Sequence, residues 1–240
     1  MSVDALNQSL KEGTLKVSQG RIRIDAKRAL QKLRDFRLAD PHHYVLELLR
    51  AAVASKATFA EVRVDADDFE LRFDGTEPSQ EVIRDLLSHA LTGGKDAEAV
   101  AARFLALGVA GALGLEPAYV RVQGAGLLLD VRPPVEVLVE EKKDEQAGTF
   151  VHVRERMSWR VLRDAVMGPT ELTVIRQAVR AYPAQLSVNG AEYERALFDE
   201  PVLAQAEKTV GSAHLVAAVP ERRAQNSTLA LDVFGVGVTT

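Results

Sequence analysis

Glu47 is the one acid in the apolar run Tyr44-Val45-Leu46-Glu47-Leu48-Leu49. A carboxylate in that setting must either pair with a cation, Arg50 being the nearest in sequence, or be kept as a base. His43 lies four residues earlier, on the same face of a helix, but no third ligand is evident, so the two read as structural rather than as half a metal site. Asp74-Gly75 ends a strand-like run with a turn signal. Gly93-Gly94-Lys95 then precedes an apolar helix expected over 99–115, which contains Gly108, Gly111 and Gly114. Glycine costs about 1 kcal/mol per helical position relative to alanine, so these three need a packing or a ligand reason. Lys95 is either a solvated loop charge or a cation held for an anion. Gly148-Thr149 opens a further strand.

The elements that must position these residues follow from periodicity. Residues 1–20 form a polar lead. Ile22 and Ile24 alternate as a short strand, and Asp25 can cap an amphipathic helix with Ala26, Leu30, Leu33 and Leu38 on one face and Lys27, Arg28, Lys32 and Arg34 on the other. Pro41 opens a second helix that carries Glu47 and is apolar on most sides, as a helix packed under a sheet must be. The period becomes two over 59–74, with the acidic turn Asp65-Ala66-Asp67-Asp68 in the middle, which predicts a hairpin. Ser79 can cap a third helix. Strands are expected at 119–122, 127–131, 135–139 and 150–153, with the charged run at 140–145 as a solvated hairpin loop. Helices at 159–167 and 171–182 place Trp159 and Tyr182 between themselves and the sheet. A strand at 186–188 ends in the turn Asn189-Gly190, and Val233 to Val238 reads as a strand in mid-sheet, inside a second domain.

Composition bounds the chemistry. The chain has 240 residues, 47% of them hydrophobic, and 30 Lys+Arg against 34 Asp+Glu, a formal charge of −4. That is the profile of a globular protein with a sizeable core. Without cysteine there is no thiol nucleophile and no thiolate metal site, and the five histidines are scattered. A sequence pI near 5.8 gives no general attraction for nucleic acid. No apolar run reaches the roughly 18 residues of a membrane span, and the first residues lack the pattern of a signal peptide, so the expectation is a cytoplasmic protein with no membrane partner.

Four segments, in order, resemble the ATP-binding domain of the GHKL superfamily (the Bergerat-type fold of gyrase, the ninety-kilodalton heat-shock chaperones, histidine kinases and MutL). Glu47-Leu48-Leu49-Arg50-Ala51-Ala52-Val53-Ala54 is similar to the E-L-x-x-N-A-x-D-A helix. Leu71-Arg72-Phe73-Asp74-Gly75 is similar to the strand ending in D-x-G-x-G. His89 to Lys95, followed by Leu107 to Leu113, is similar to the MutL-type lid and its G-x-x-G-x-x-L turn. Gly148-Thr149-Phe150-Val151 is similar to the G-T-x-V strand. The match spans about 21–190, nearest to the chaperone and MutL branches.

The resemblance implies an α+β fold, a two-layer sandwich of a mixed, largely antiparallel sheet with helices on one face. It implies an ATP-binding domain over 21–196 and the beginning of a second, transducer-like α/β domain over 197–240. It further implies Glu47 as the residue that activates water, Asp74 with Gly75 and Thr149 at the adenine, and Gly108, Gly111 and Lys95 at the phosphates. The chain departs from the pattern at the magnesium ligand, where position 51 is Ala, at Ala54, where the family has Asp, and after Asp74, where Thr76-Glu77-Pro78 replaces a second glycine. Glu77 is then the candidate for the missing Mg2+ ligand. Two functions follow: an ATP-gated conformational switch of a chaperone-like protein, with a homodimer or a protein client as partner, or a pseudo-ATPase that keeps the fold as an interaction module.

Overall fold

A computed structural model describes residues 40–92, 94–133, 136–141, 147–180, 182–194, 201–210, 213–221, 232–233 and 236–237. The polar lead, the strand at Ile22 and Ile24, the helix expected from Asp25 to Leu38 and most of the charged 140–145 loop lie outside them.

The Asp40 carboxylate accepts the His42 amide at 2.9 Å and caps a 3-10 turn, Pro41–His43, that feeds directly into helix α1 (Tyr44–Ala54). Pro41 suits this place because it fixes φ and lacks an amide that would be unpaired there. Nine residues of α1 are buried, Glu47 among them, so the helix is a core element, as its apolar pattern requires. The predicted hairpin follows as β1 (Phe59–Val64) and β2 (Asp68–Phe73), its turn closed by Asp65 Oδ1, which accepts the Asp67 and Asp68 amides.

Ser79 precedes α2 (Gln80–Arg84) but makes no side-chain cap, and the single third helix expected there is broken at Asp85, beyond which α3 (Leu86–His89) begins. Helix α4 (Ala97–Leu113) starts two residues earlier than expected because the Asp96 carboxylate caps it, accepting the Ala99 amide at 2.8 Å, and it ends at Gly114. Then come β3 (Tyr119–Gly124), β4 (Leu127–Arg132), β5 (Glu136–Glu141), β6 (Thr149–Arg154), α5 (Trp159–Met167), α6 (Thr170–Ala178), β7 (Gln185–Val188) and β8 (Ala191–Glu192).

These strands form one eight-stranded sheet in the order β5-β4-β3-β6-β2-β1-β7-β8, antiparallel except for the β1–β7 pair. Alternation decides which face is covered. Ala60, Val62, Phe69, Leu71, Val120, Val122, Val151 and Val153 are buried, while Arg63, Arg72, Arg121, His152 and Arg154 stand on the more open face. The fold is therefore α+β, a mixed sheet layered against helices. Each buried leucine or phenylalanine contributes about 1.5–3 kcal/mol.

Strands β9 (Val202–Val210) and β10 (Ala213–Pro220) pair as a separate hairpin. In place of one strand from Val233 to Val238, two short strands pair antiparallel, Asp232–Val233 against Val236–Gly237, and Val236 is fully buried with the main core and bridges to Val179. Trp159 corrects an expectation: it is 83% exposed, because α5 turns only Val161 and Asp164 inward and leaves Trp159, Leu162 and Val166 outside. Tyr182 lies beyond the end of α6, which stops at Ala178 and not at 182, and donates its hydroxyl to the Leu49 carbonyl of α1 at 2.8 Å. No helix among the described residues is long and apolar enough to cross a membrane.

Candidate functional site

Helices α1 and α4 lie side by side on the sheet, and a cavity of about 230 Å³ opens between them. Ala51 and Ala54 form its wall on α1, with Ser55 and Lys56 just beyond the helix end. Ala97, Glu98, Ala101, Ala102 and Leu105 form the α4 side; Phe73, Thr76 and Pro78 come from the chain leaving β2, and Thr149 from the first position of β6. Most of this lining is apolar and small, and the charges are Lys56 and Glu98, both exposed.

Thr149 is the polar feature of the interior. The residue is fully buried, and its hydroxyl has no hydrogen-bond partner among the described residues. An unsatisfied buried hydroxyl costs about 1–3 kcal/mol, so a group beside a cavity that lacks a partner is one that a ligand can complete. Its position is set by the preceding turn. Gly148 has φ +96, and a side chain there would meet the Phe73 carbonyl oxygen. Glu77 holds the same turn, one carboxylate oxygen accepting the Gly148 amide at 2.6 Å and the other the Ala125 amide at 2.9 Å.

The residues expected at a nucleotide site are therefore divided. Thr149 lines the cavity. Asp74 does not: its carboxylate is exposed and accepts the Thr58 amide at 2.8 Å, the Thr58 hydroxyl and the Phe59 amide at 3.0 Å. Those bonds, the Thr58 hydroxyl foremost, hold its pKa below the usual carboxylate value. Gly75 serves close approach, since a Cβ there would come within 2.7 Å of the Ser55 carbonyl oxygen, and the next residue, Thr76, donates its amide to that oxygen at 2.8 Å.

Gly108 and Gly111 lie in the C-terminal half of α4, far from the helix start where free amides are found. The role of Gly108 is packing: a Cβ there would sit 2.5 Å from Leu48 Cδ2. Lys95 is exposed, just before the Asp96 cap, and is not part of the cavity wall. Glu47, one turn before Ala51, is ion-paired with Arg50. Burial raises its pKa in spite of Arg50.

Magnesium does not fit this arrangement. Ala51 and Ala54 offer no oxygen, Glu47 is held by Arg50, and Glu77 lies outside the cavity lining with each oxygen accepting a backbone amide, so it does not replace them. Lys56, Ser55, Thr76 and Glu98 are cavity residues that carried no motif in the sequence; only the fold gathers them.

A second cluster was equally hidden. Around the start of α1, His42 Nδ1 lies 2.9 Å from Glu171 Oε1, and the Arg160 guanidinium donates to Glu155 Oε2 at 2.8 and 3.1 Å. His42, Glu155 and Glu171 bring one ligand atom each within 4.8 Å of one another. Each carboxylate thus has a partner inside the cluster, Glu171 in His42 and Glu155 in Arg160. Burial opposes charging of His42, but the hydrogen bond and charge of Glu171, helped by Asp40 and opposed by Arg160, hold its pKa above the usual imidazole value. Burial raises that of Glu155 against the pull of Arg160.

No family model and no curated protein matches the chain.

Proposed function

We propose that this chain is a ligand-binding module of the GHKL type, a pseudo-ATPase whose cavity takes a nucleotide-class ligand without magnesium-dependent turnover. The observation that carries the reading is the unpartnered Thr149 hydroxyl, buried beside an apolar cavity between two helices on a sheet. A nucleobase has the matching chemistry: flat apolar faces for Ala51, Ala101 and Phe73, and ring-edge atoms for one hydroxyl that can both donate and accept. The cavity is smaller than the ~300–1,000 Å³ typical of drug-sized ligands, so it would hold the ring while the rest of the molecule lies toward the mouth.

The hydrolysing alternative is disfavoured by the alanines at 51 and 54, which offer no metal ligand, and by Glu47, which is ion-paired with Arg50 and does not line the cavity. On this reading ligand occupancy sets how α4 sits against α1, and a second copy of the chain or a client protein responds to that change.

Calorimetric titration of the full chain with ATP and ADP, with and without magnesium, tests the reading alongside an assay of phosphate release. Saturable heat that Thr149→Val weakens at least fivefold, with no effect of magnesium and no release above blank, is expected. No heat from a folded protein with ATP, ADP or adenosine at millimolar concentration would overturn it.

A further inference from the structure

We infer that the cavity selects an uncharged nucleoside over its phosphorylated forms, and that Glu98 is the residue that imposes the choice. This rests on the nucleotide-class reading above. The start of a 17-residue helix ordinarily attracts anions, because its first amides lack partners and the helix dipole adds positive potential. In α4 that end already carries two acids: the Asp96 carboxylate takes the Ala99 amide, and Glu98 stands in the first turn on the cavity wall.

The cations nearby only balance these acids. Lys56 lies on the opposite wall and Lys95 just outside it, two positive charges against the carboxylates of Asp96 and Glu98. A triphosphate therefore meets no net positive charge in the lining, and Ala51 and Ala54 offer no oxygen to hold a magnesium ion that it brings. The apolar interior and the Thr149 hydroxyl ask only for a ring with a hydrogen-bonding edge. Since Glu98 is exposed, its repulsion acts through solvent and is open to screening by salt.

The test titrates the full chain and Glu98→Gln with adenosine, AMP and ATP, each at about 0.1 M and about 1 M salt, where the screening length falls from about 10 to about 3 Å. Adenosine is expected to bind about tenfold more tightly than ATP at low salt, with AMP between them. Glu98→Gln and high salt should each shrink that ratio at least threefold. ATP binding as tightly as adenosine to the wild type would overturn the inference while leaving the nucleotide-class reading in place. A ratio that Glu98→Gln does not move would overturn the role of Glu98. Absence of binding by all three ligands would defeat the nucleotide-class reading itself, and this inference with it.

Discussion

Asp74 and Thr58 clasp the start of the first hairpin: the Asp74 carboxylate accepts both the Thr58 amide and the Thr58 hydroxyl, and the Phe59 amide as well. These bonds favour the ionised acid, so its contribution to stability is present above the ordinary carboxylate pKa of about 3.9 and is lost as pH falls through its lower folded value. Asp74→Asn is therefore expected to be less stable than the wild type at pH 7 and to approach it near pH 3. Urea unfolding at the two pH values reads this directly. Because Asp74 is not in the cavity wall, the same variant should keep nucleotide affinity within about twofold, and a complete loss of binding would return it to the site.

Gly108 packs α4 directly against Leu48 of α1. Adding a methyl there places it against Leu48, which is fully buried and has no room to turn. Overpacking costs about 1–3 kcal/mol and the better helix propensity of alanine returns about 1, so Gly108→Ala should lose up to about 2 kcal/mol. Combining it with Leu48→Val should recover part of the loss in a double-mutant cycle. Simple addition of the two penalties would show that the contact is not what demands glycine.

Thr149→Val separates ligand binding from folding. The buried hydroxyl lacks a partner, so an isosteric methyl should stabilise the ligand-free chain by about 1 kcal/mol even as it weakens binding. Thermal melts with and without ligand measure both. A destabilised free protein would mean that the hydroxyl has a partner after all.

His42 predicts pH dependence of the opposite sense to that of Asp74. Its folded pKa is raised, so the stability it contributes is fully present below about pH 6.5 and is lost as pH rises through the folded value. The groups facing it are Glu171 from α6, Arg160 from α5, Glu155 from the chain between β6 and α5, and Asp40 beside it. Denaturant midpoints recorded from pH 6 to pH 8.5 should decline in the wild type more steeply than in His42→Gln. Equal slopes would assign the dependence to other groups.

Much of the element order was legible in the sequence because it rests on local rules. Helix α5 spans the residues its apolar spacing predicts, the hairpin at 59–73 follows from strict alternation around an acidic turn, and the apolar girth of α1 announces a buried helix. Periodicity reports which residues share a face, and a face is a property of neighbours in sequence. It could not separate the broken pair α2 and α3 from one helix, because the break is a change of backbone dihedrals at the single residue Asp85 (φ −120, ψ 27) that leaves the apolar spacing unaltered. Nor could it foresee the exposed Trp159, whose large ring reads as core by composition alone.

The types of residue available to the site, including the alanines at 51 and 54 that withhold magnesium ligands, were determined by the sequence by itself. Their partners were decided only in three dimensions. Glu47 takes Arg50, the nearest cation its sequence neighbourhood offered, whereas Asp74 binds Thr58 and Glu77 binds the amides of Gly148 and Ala125, two carboxylates committed to structure by partners that nothing in the sequence marks. A hydrogen bond depends on distance and direction between groups as far apart as Glu77 and Gly148, and those are set by how the sheet and the two cavity helices pack, not by spacing along the chain. The same packing left Thr149 without a partner and gave it a cavity.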